Sequence, residues 1–319
     1  MKNQKLKLVT AIAMTSALAA CGGGSSDSAD TGKVSVAVTD APASEFTDVT
    51  ISFTGISLKP AGGKWIEFTF DEPKTWNLLD LTGGMSEPLI TDEEVPAGEY
   101  SELRLLIDTD NSYVVLESQP DYQATLAVPS GEQSGLKLKG DLIVAADATT
   151  DFTIDFDVAK SIVNPQGTSL ADYLLKPSLR IVNNLEVGAI SGEVDYPQIN
   201  SIRSGDAALT DCATDFPGAV YVYAGADVTP TDLNLADDDT SNDPLMIVPV
   251  TDEDNNGLYE FTAAFLTAGD YTISYSCQLD DSEVADTELA DNPLQFEGTQ
   301  TVTVVVNDTV TAETIPLQP

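Results

Sequence analysis

Apolar and polar residues alternate with a period of two along most of this chain. Val34, Val36 and Val38 fall on one side, with Ser35, Ala37 and Thr39 on the other. Val49, Ile51 and Phe53 alternate with Thr50, Ser52 and Thr54; Ile66, Phe68 and Phe70 with Trp65, Glu67 and Thr69. Leu103, Leu105 and Ile107 alternate with Glu102 and Arg104; Phe152, Ile154 and Phe156 with Thr153, Asp155 and Asp157. This is the period of half-buried strands. Gly55, just ahead of Ile56 and Leu58, predicts a bulge. Turn signals separate the runs at Asp40-Ala41-Pro42, Pro60-Ala61-Gly62-Gly63, Pro96-Ala97-Gly98 and Pro129-Ser130-Gly131. Further strands are predicted over 188–194, 220–223, 259–263, 271–277 and 301–306. Helical turns are expected only near 78–81 and 169–173. The pattern predicts an all-β chain with two antiparallel β-sandwich domains in tandem, over 33–186 and 187–319.

The N-terminus departs from this pattern. Lys2, Lys5 and Lys7 precede an apolar run over 8–20, the layout of a secretory signal. The run is too short to span a bilayer, which takes about 20 apolar residues. Gly22 to Ser28 then form a flexible tether. Leu18-Ala19-Ala20-Cys21 resembles the lipidation box of bacterial lipoproteins. That resemblance implies a signal peptide over 1–20, cleavage after Ala20, diacylglycerol on the Cys21 sulfur and a linker to residue 32. Several acyl chains on one cysteine anchor a protein stably to a membrane. Gly22, where an Asp would mark inner-membrane retention, implies the outer membrane of a Gram-negative cell and leaves the leaflet open. With Cys21 acylated, Cys212 and Cys277 remain. They are expected as a disulfide in an oxidising compartment, with two buried thiols as the alternative. The bridge would close a loop of about 65 residues, worth roughly 4 kcal/mol in the chain-entropy account.

Two further resemblances cover the body of the chain. The opening Lys33-Val34-Ser35-Val36-Ala37-Val38-Thr39-Asp40-Ala41-Pro42 is similar to that of a lipoprotein domain family of unknown function. So are Phe53-Thr54-Gly55-Ile56-Ser57-Leu58-Lys59-Pro60, Pro96-Ala97-Gly98-Glu99-Tyr100 and Ser134-Gly135-Leu136-Lys137-Leu138. The likeness spans roughly 33–185 and implies no catalytic residues. In the second half, Gly257-x-Tyr259-x-Phe261 and Leu266-x-Ala268-Gly269-x-Tyr271 resemble transthyretin-like or carboxypeptidase-regulatory-like sandwiches, which group with carbohydrate-binding folds. Thr267-Ala268-Gly269-Asp270-Tyr271 also echoes Pro96-Ala97-Gly98-Glu99-Tyr100, one hairpin solution used in both halves.

Composition narrows the function. The chain has 52 Asp/Glu against 14 Lys/Arg and a formal charge of −38. A chain so acidic repels nucleic acid and anionic lipid, and no basic cluster stands outside the signal. With 42% hydrophobic residues the chain is folded, with acidic surfaces. It has no histidine, which excludes His-based triads, His-ligated zinc and a His general base. Paired carboxylates, as in glycoside hydrolysis, remain, but the sequence singles out no pair. Asp252, Asp254 and Asn256 open a D-x-D-x-N-G run that is either an Asn-Gly hairpin turn or a weak Ca2+ site. Ala263 stands where an EF-hand has its twelfth-position Glu. Asp237-Asp238-Asp239 with Asp243 is a lesser candidate. Trp65 is expected to face outward, where a sandwich stacks sugars or holds a partner; the alternative is that it covers the sheet under a loop or packs on the second domain. Trp76, Tyr221 and Tyr223 are weaker candidates of the same kind. The expected function is a non-catalytic lipoprotein that binds or scaffolds at the cell envelope, with a glycan or envelope protein as partner. The alternatives are a carbohydrate-binding C-terminal sandwich and a carboxylate-dependent hydrolase.

Overall fold

The computed structural model describes residues 30–41, 46–129, 135–165, 171–176, 178–203, 217–233, 243–278 and 294–316. The signal, Cys21, most of the linker, Cys212 and Asp237 to Asp239 lie outside the described residues.

The alternating runs of the first half become long strands: β1 (Thr31–Ala41), β2 (Phe46–Pro60), β3 (Ile66–Asn77), β4 (Glu87–Pro96) and β5 (Gly98–Ile107). Shorter ones follow: β6 (Tyr113–Leu116), β7 (Ala124–Ala127), β8 (Leu136–Val144), β9 (Thr149–Asp157), β10 (Ile162–Val163), β11 (Tyr173–Leu175) and β12 (Leu179–Asn183). A single turn of helix, α1 (Val158–Ser161), follows β9. One sheet runs β12-β9-β1-β4; the other runs β10-β11-β7-β6-β2-β5-β8, with β3 on the opposite side of β2. The inner faces are those that the alternation predicts. Val36, Val38, Ile51, Phe53, Leu105, Ile154 and Phe156 are all buried in one core. Burial at about 1.5–3 kcal/mol per large apolar side chain is what holds the two sheets together.

Gly55 sits where the register of β2 shifts against both β3 and β5, the predicted bulge. A Cβ there would lie 2.5 Å from the Phe68 carbonyl oxygen, so only glycine lets β3 approach. The helical turn expected near 78–81 is a 3-10 turn, Leu78–Asp80, capped by the Asn77 side chain, which accepts from Leu79 N. The turn expected near 169–173 lies partly outside the described residues; Tyr173, at its end, opens β11, where it pairs with Leu126 of β7.

The second half carries β13 (Val187–Val194), α2 (Tyr196–Arg203), β14 (Ala219–Ala224), β15 (Met246–Pro249), β16 (Tyr259–Thr267), β17 (Gly269–Ser276), β18 (Glu297–Val304) and β19 (Thr309–Thr311). Its sheets are β16-β13-β19 and β15-β14-β17-β18, around a second core that includes Ile190, Val220, Val222, Ala263, Ile273 and Tyr275. The fold is all-β and sandwich-like throughout. Most pairings are antiparallel, but β1–β9, β7–β11 and β13–β19 pair in parallel. Alternation reports which face is buried and carries no information on strand direction, so these pairs are invisible to it.

The echoed turns have one structure. Tyr100 Oη donates to the Pro96 carbonyl at 2.7 Å, and Tyr271 Oη donates to the Thr267 carbonyl at 2.9 Å. Each tyrosine bends back over its own hairpin and locks the turn to the strand that follows it.

Candidate functional site

Three places bring chemistry-bearing side chains together. The first is the junction of the two sandwiches. β9 buries Phe152, Ile154 and Phe156 inward, yet Thr153 and Asp155 on its other face are also buried. The upper part of that face is covered by the second sandwich: Thr39 and Asp155 line a small cavity with Met246, Val248, Thr262 and Ala264. A bulge in β16 makes room for this docking. Gly188 pairs with Leu266 but Ile190 with Ala263, and Phe265 takes a left-handed φ of 55°. Asp155 Oδ2 accepts from Arg180 Nη2 at 2.6 Å. Burial pushes the Asp155 carboxyl above the usual carboxylate range, against the Arg180 guanidinium, which pulls it back. Lys160 ties the halves directly: its Nζ pairs with Asp157 Oδ2 at 2.9 Å and donates to the Pro244 carbonyl at 2.7 Å.

Beside this contact lies an open groove of about 650 Å³. Leu79, Thr82 and Met85 line it from the first sandwich; Val248, Glu253, Asp254 and Glu260 line it from the second. Met85 is 57% exposed there. Its acidic side chains all come from the second sandwich, among apolar ones from both.

The Asp252 turn joins β15 to β16 at the rim of this groove. Asp252 accepts from Asn256 N at 3.0 Å through Oδ1 and from Gly257 N at 3.1 Å through Oδ2. Asp254 Oδ2 accepts from Asn256 Nδ2, and Asn256 Oδ1 from Leu258 N. Asn255 and Gly257 take positive φ. The carboxylates thus face their own backbone, in the manner of a hairpin connection. Among the described residues no group of three or more His, Cys, Asp or Glu is placed to hold a metal ion.

Trp65 lies just before β3 and is half-buried. The Arg104 guanidinium sits 4.0 Å from its ring centroid, and Lys59 Nζ 5.5 Å. Arg104 Nε also pairs with Glu102 Oε1 at 2.7 Å. The ring therefore carries cations rather than standing bare. Trp76 is half-buried and packs on the first core, its ring 5.9 Å from Phe53. Tyr221 and Tyr223 are buried, each 1% exposed, under Val228, Ile247, Leu294 and Phe296. An aromatic row on that outer face is thereby ruled out: the face is covered.

Sequence reading found no basic cluster outside the signal; the fold builds one. Arg104, Lys137 and Lys139 come from β5 and β8, and Lys59 from the end of β2. The available signal was the parity of Lys137 and Lys139, which share a face. A third site is structural. Asp172 accepts from Thr125 N, Thr125 Oγ1 and Tyr122 Oη, which holds its carboxyl below the usual range. Cys277 is fully buried at the end of β17 and is engaged rather than free.

The geometry defines an all-β protein of sandwich-like halves whose clustered charges hold strands and halves together. Residues 31–177 match the model of a family described as a domain of unknown function (DUF4382), over nearly the span that the quoted motifs cover. No curated protein matches the sequence. Among solved structures, the chain is similar to a leucine-rich repeat protein from Bacteroides thetaiotaomicron at 13% identity, covering 91% of this chain and 26% of that one, with a TM-score of 0.21. It is similar to the Bacillus anthracis TIE protein at 10% identity, covering 89% and 33%, with a TM-score of 0.19. It is also similar to GBS52, the minor pilin of Streptococcus agalactiae, at 10% identity, covering 89% and 97%, with a TM-score of 0.19. The chain thus spans about a quarter of the first structure and a third of the second. At such TM-scores the likeness carries no argument.

Proposed function

We propose that the protein is a non-catalytic module that binds or scaffolds at the cell envelope, held to the outer membrane by lipid on Cys21. The observation that carries the non-catalytic part is the use made of the acidic side chains. Asp155 pairs with Arg180, Asp157 with Lys160, Asp172 holds the β7–β11 end, and Asp252 holds its own turn. Each of these carboxylates is engaged in joining the structure. The basic n-region, the apolar run and the small residues before Cys21 support the anchor. Cys277, fully buried at the end of β17 and engaged rather than free, supports a Cys212–Cys277 bridge, which suits an exported chain.

Membrane fractionation of wild type and Cys21→Ala tests the reading. Wild type is expected with the outer membrane and the variant as soluble or unprocessed chain. A variant that still fractionates with the outer membrane removes the anchor from the account. Protease treatment of whole cells then assigns the leaflet.

A further inference from the structure

The basic face has a feature that packing does not explain. In the β5–β8 pairing Arg104 stands directly opposite Lys137, and Glu102 opposite Lys139. On the other side of β5, Glu102 stands opposite Lys59 and Arg104 opposite Ser57. Directly opposed like charges on a sheet are unfavourable, because the two Cβ atoms lie only about 4.5–5.5 Å apart. Arg104 and Lys137 form such a pair in a chain where carboxylates outnumber cations 52 to 14. Among the described side chains the carboxylates on this face do not cancel it. Glu102 is engaged by Arg104 Nε, and Glu67 lies across Ser57 on β3. Glu99 stands farther down β5, opposite Ile143. Lys137 and Lys139 are exposed and make no ion pair among the described residues. Eleven Lys/Arg follow Lys7, and Lys59, Arg104, Lys137 and Lys139 meet here. Beside them Arg104 is stacked on Trp65, a rigid aromatic and guanidinium platform.

We propose that this face binds an acidic polysaccharide, a chain of sugar rings bearing carboxylate or sulfate groups. Arg104, Lys137 and Lys139 take the anionic groups, and the Trp65–Arg104 stack borders the ring that lies against them. The ligand class follows from size as well as sign. Three neighbouring strands about 4.8 Å apart make a patch about 10 Å wide, which a short run of sugars covers. A nucleic-acid duplex or a bilayer surface would reach well past the patch, onto a molecule of net charge −38. Screening confines the attraction to about 8–10 Å around the cations. The inference rests on the binding-module reading and names its ligand.

The test is retention of the full chain, in detergent at low salt, on immobilised polygalacturonate, dextran sulfate, neutral dextran and a short DNA duplex. Retention is expected on one or both acidic polysaccharides and not on dextran or DNA. Which acidic polymer retains the chain tells carboxylate from sulfate. The double variant Lys137→Gln/Lys139→Gln is expected to lose about tenfold or more in affinity, the size of one or two charge contacts. Glu102→Gln is expected to tighten binding. The inference is overturned if neither acidic polymer retains wild type, if the double variant is retained equally, or if DNA is retained as strongly as the polysaccharides. Retention on neutral dextran alone would overturn the acidic ligand while leaving the binding module standing; loss of the Cys21 anchor bears only on the latter.

Discussion

Replacing Tyr100 or Tyr271 by Phe removes one hydroxyl from each echoed turn and nothing else. Tyr100 is 2% exposed and Tyr271 5%, so neither change opens a cavity or adds surface. Each variant loses a hydrogen bond of 2.7 or 2.9 Å to a backbone carbonyl four residues upstream, and Tyr271→Phe also loses the 3.1 Å hydrogen bond between its hydroxyl and Thr267 Oγ1. Such a bond contributes about 0.5–1.5 kcal/mol, and more where the abandoned carbonyl is shut off from water. Each single variant is therefore expected to lose about 1–1.5 kcal/mol. At an m-value near 2 kcal/mol/M in urea, that lowers the midpoint by about 0.5–0.75 M. The chain offers a convenient way to tell the halves apart. Its two tryptophans, Trp65 and Trp76, are both in the first sandwich. Tryptophan fluorescence thus follows the first half, while far-UV circular dichroism follows both. Tyr100→Phe is expected to move the fluorescence transition and Tyr271→Phe only the dichroism transition. The double variant should add the two losses, because the sites are in separate cores. A midpoint unchanged within about 0.1 M for Tyr100→Phe would refute the argument from the hydroxyl. An equal fluorescence shift in both single variants would refute the independence of the halves.

Two further outcomes follow from the bulge and the junction. Gly55→Ala forces a Cβ to within 2.5 Å of the Phe68 oxygen and 3.3 Å of Leu106 Cδ1; strain of this kind costs about 1–3 kcal/mol, read as a lower fluorescence midpoint, and an unchanged midpoint would contradict the bulge geometry. At the junction, the folded-state pKa of Asp155 lies above its unfolded value of about 3.9, so its contribution to stability is full below that pH and is lost as pH rises through the folded pKa. Wild type should therefore lose stability relative to Asp155→Asn as pH rises above the unfolded-state value of about 3.9 in urea titrations, and a difference independent of pH would count against the buried carboxyl.

The alternation in the sequence made the inner faces of β1, β2, β5 and β9 legible, because each has one apolar side and sits over a core. The Gly55 bulge and the paired turns were legible for the same reason: a glycine or a Gly-x-Tyr turn acts locally. What depends on register between distant strands was not. Arg104 meets Lys137 and Trp65 only once β5 lies between β2 and β8, and no spacing in the chain announces that order. Tyr221 and Tyr223 misled for a related reason. They alternate with Val220 and Val222 like surface residues, but Leu294 and Phe296 cover them from far along the chain. Asp155 read as solvent-facing because a sequence of alternating faces does not reveal that a second sandwich docks on one of them.

The parallel pairing of β1 with β9 also has a mechanical consequence. β1 lies between two neighbours, matched from Lys33 to Ala41 along β9 and from Thr31 to Val38 along β4. Consider a pull on the chain ahead of Thr31 directed along the strand axis. It cannot peel β1 away one hydrogen bond at a time, as it would an edge hairpin loaded at its open end. It must slide β1 lengthwise against both neighbours, so their hydrogen bonds share the load and yield together. For a module tethered through its N-terminus, the strand nearest the tether is thus the one set to resist force in shear.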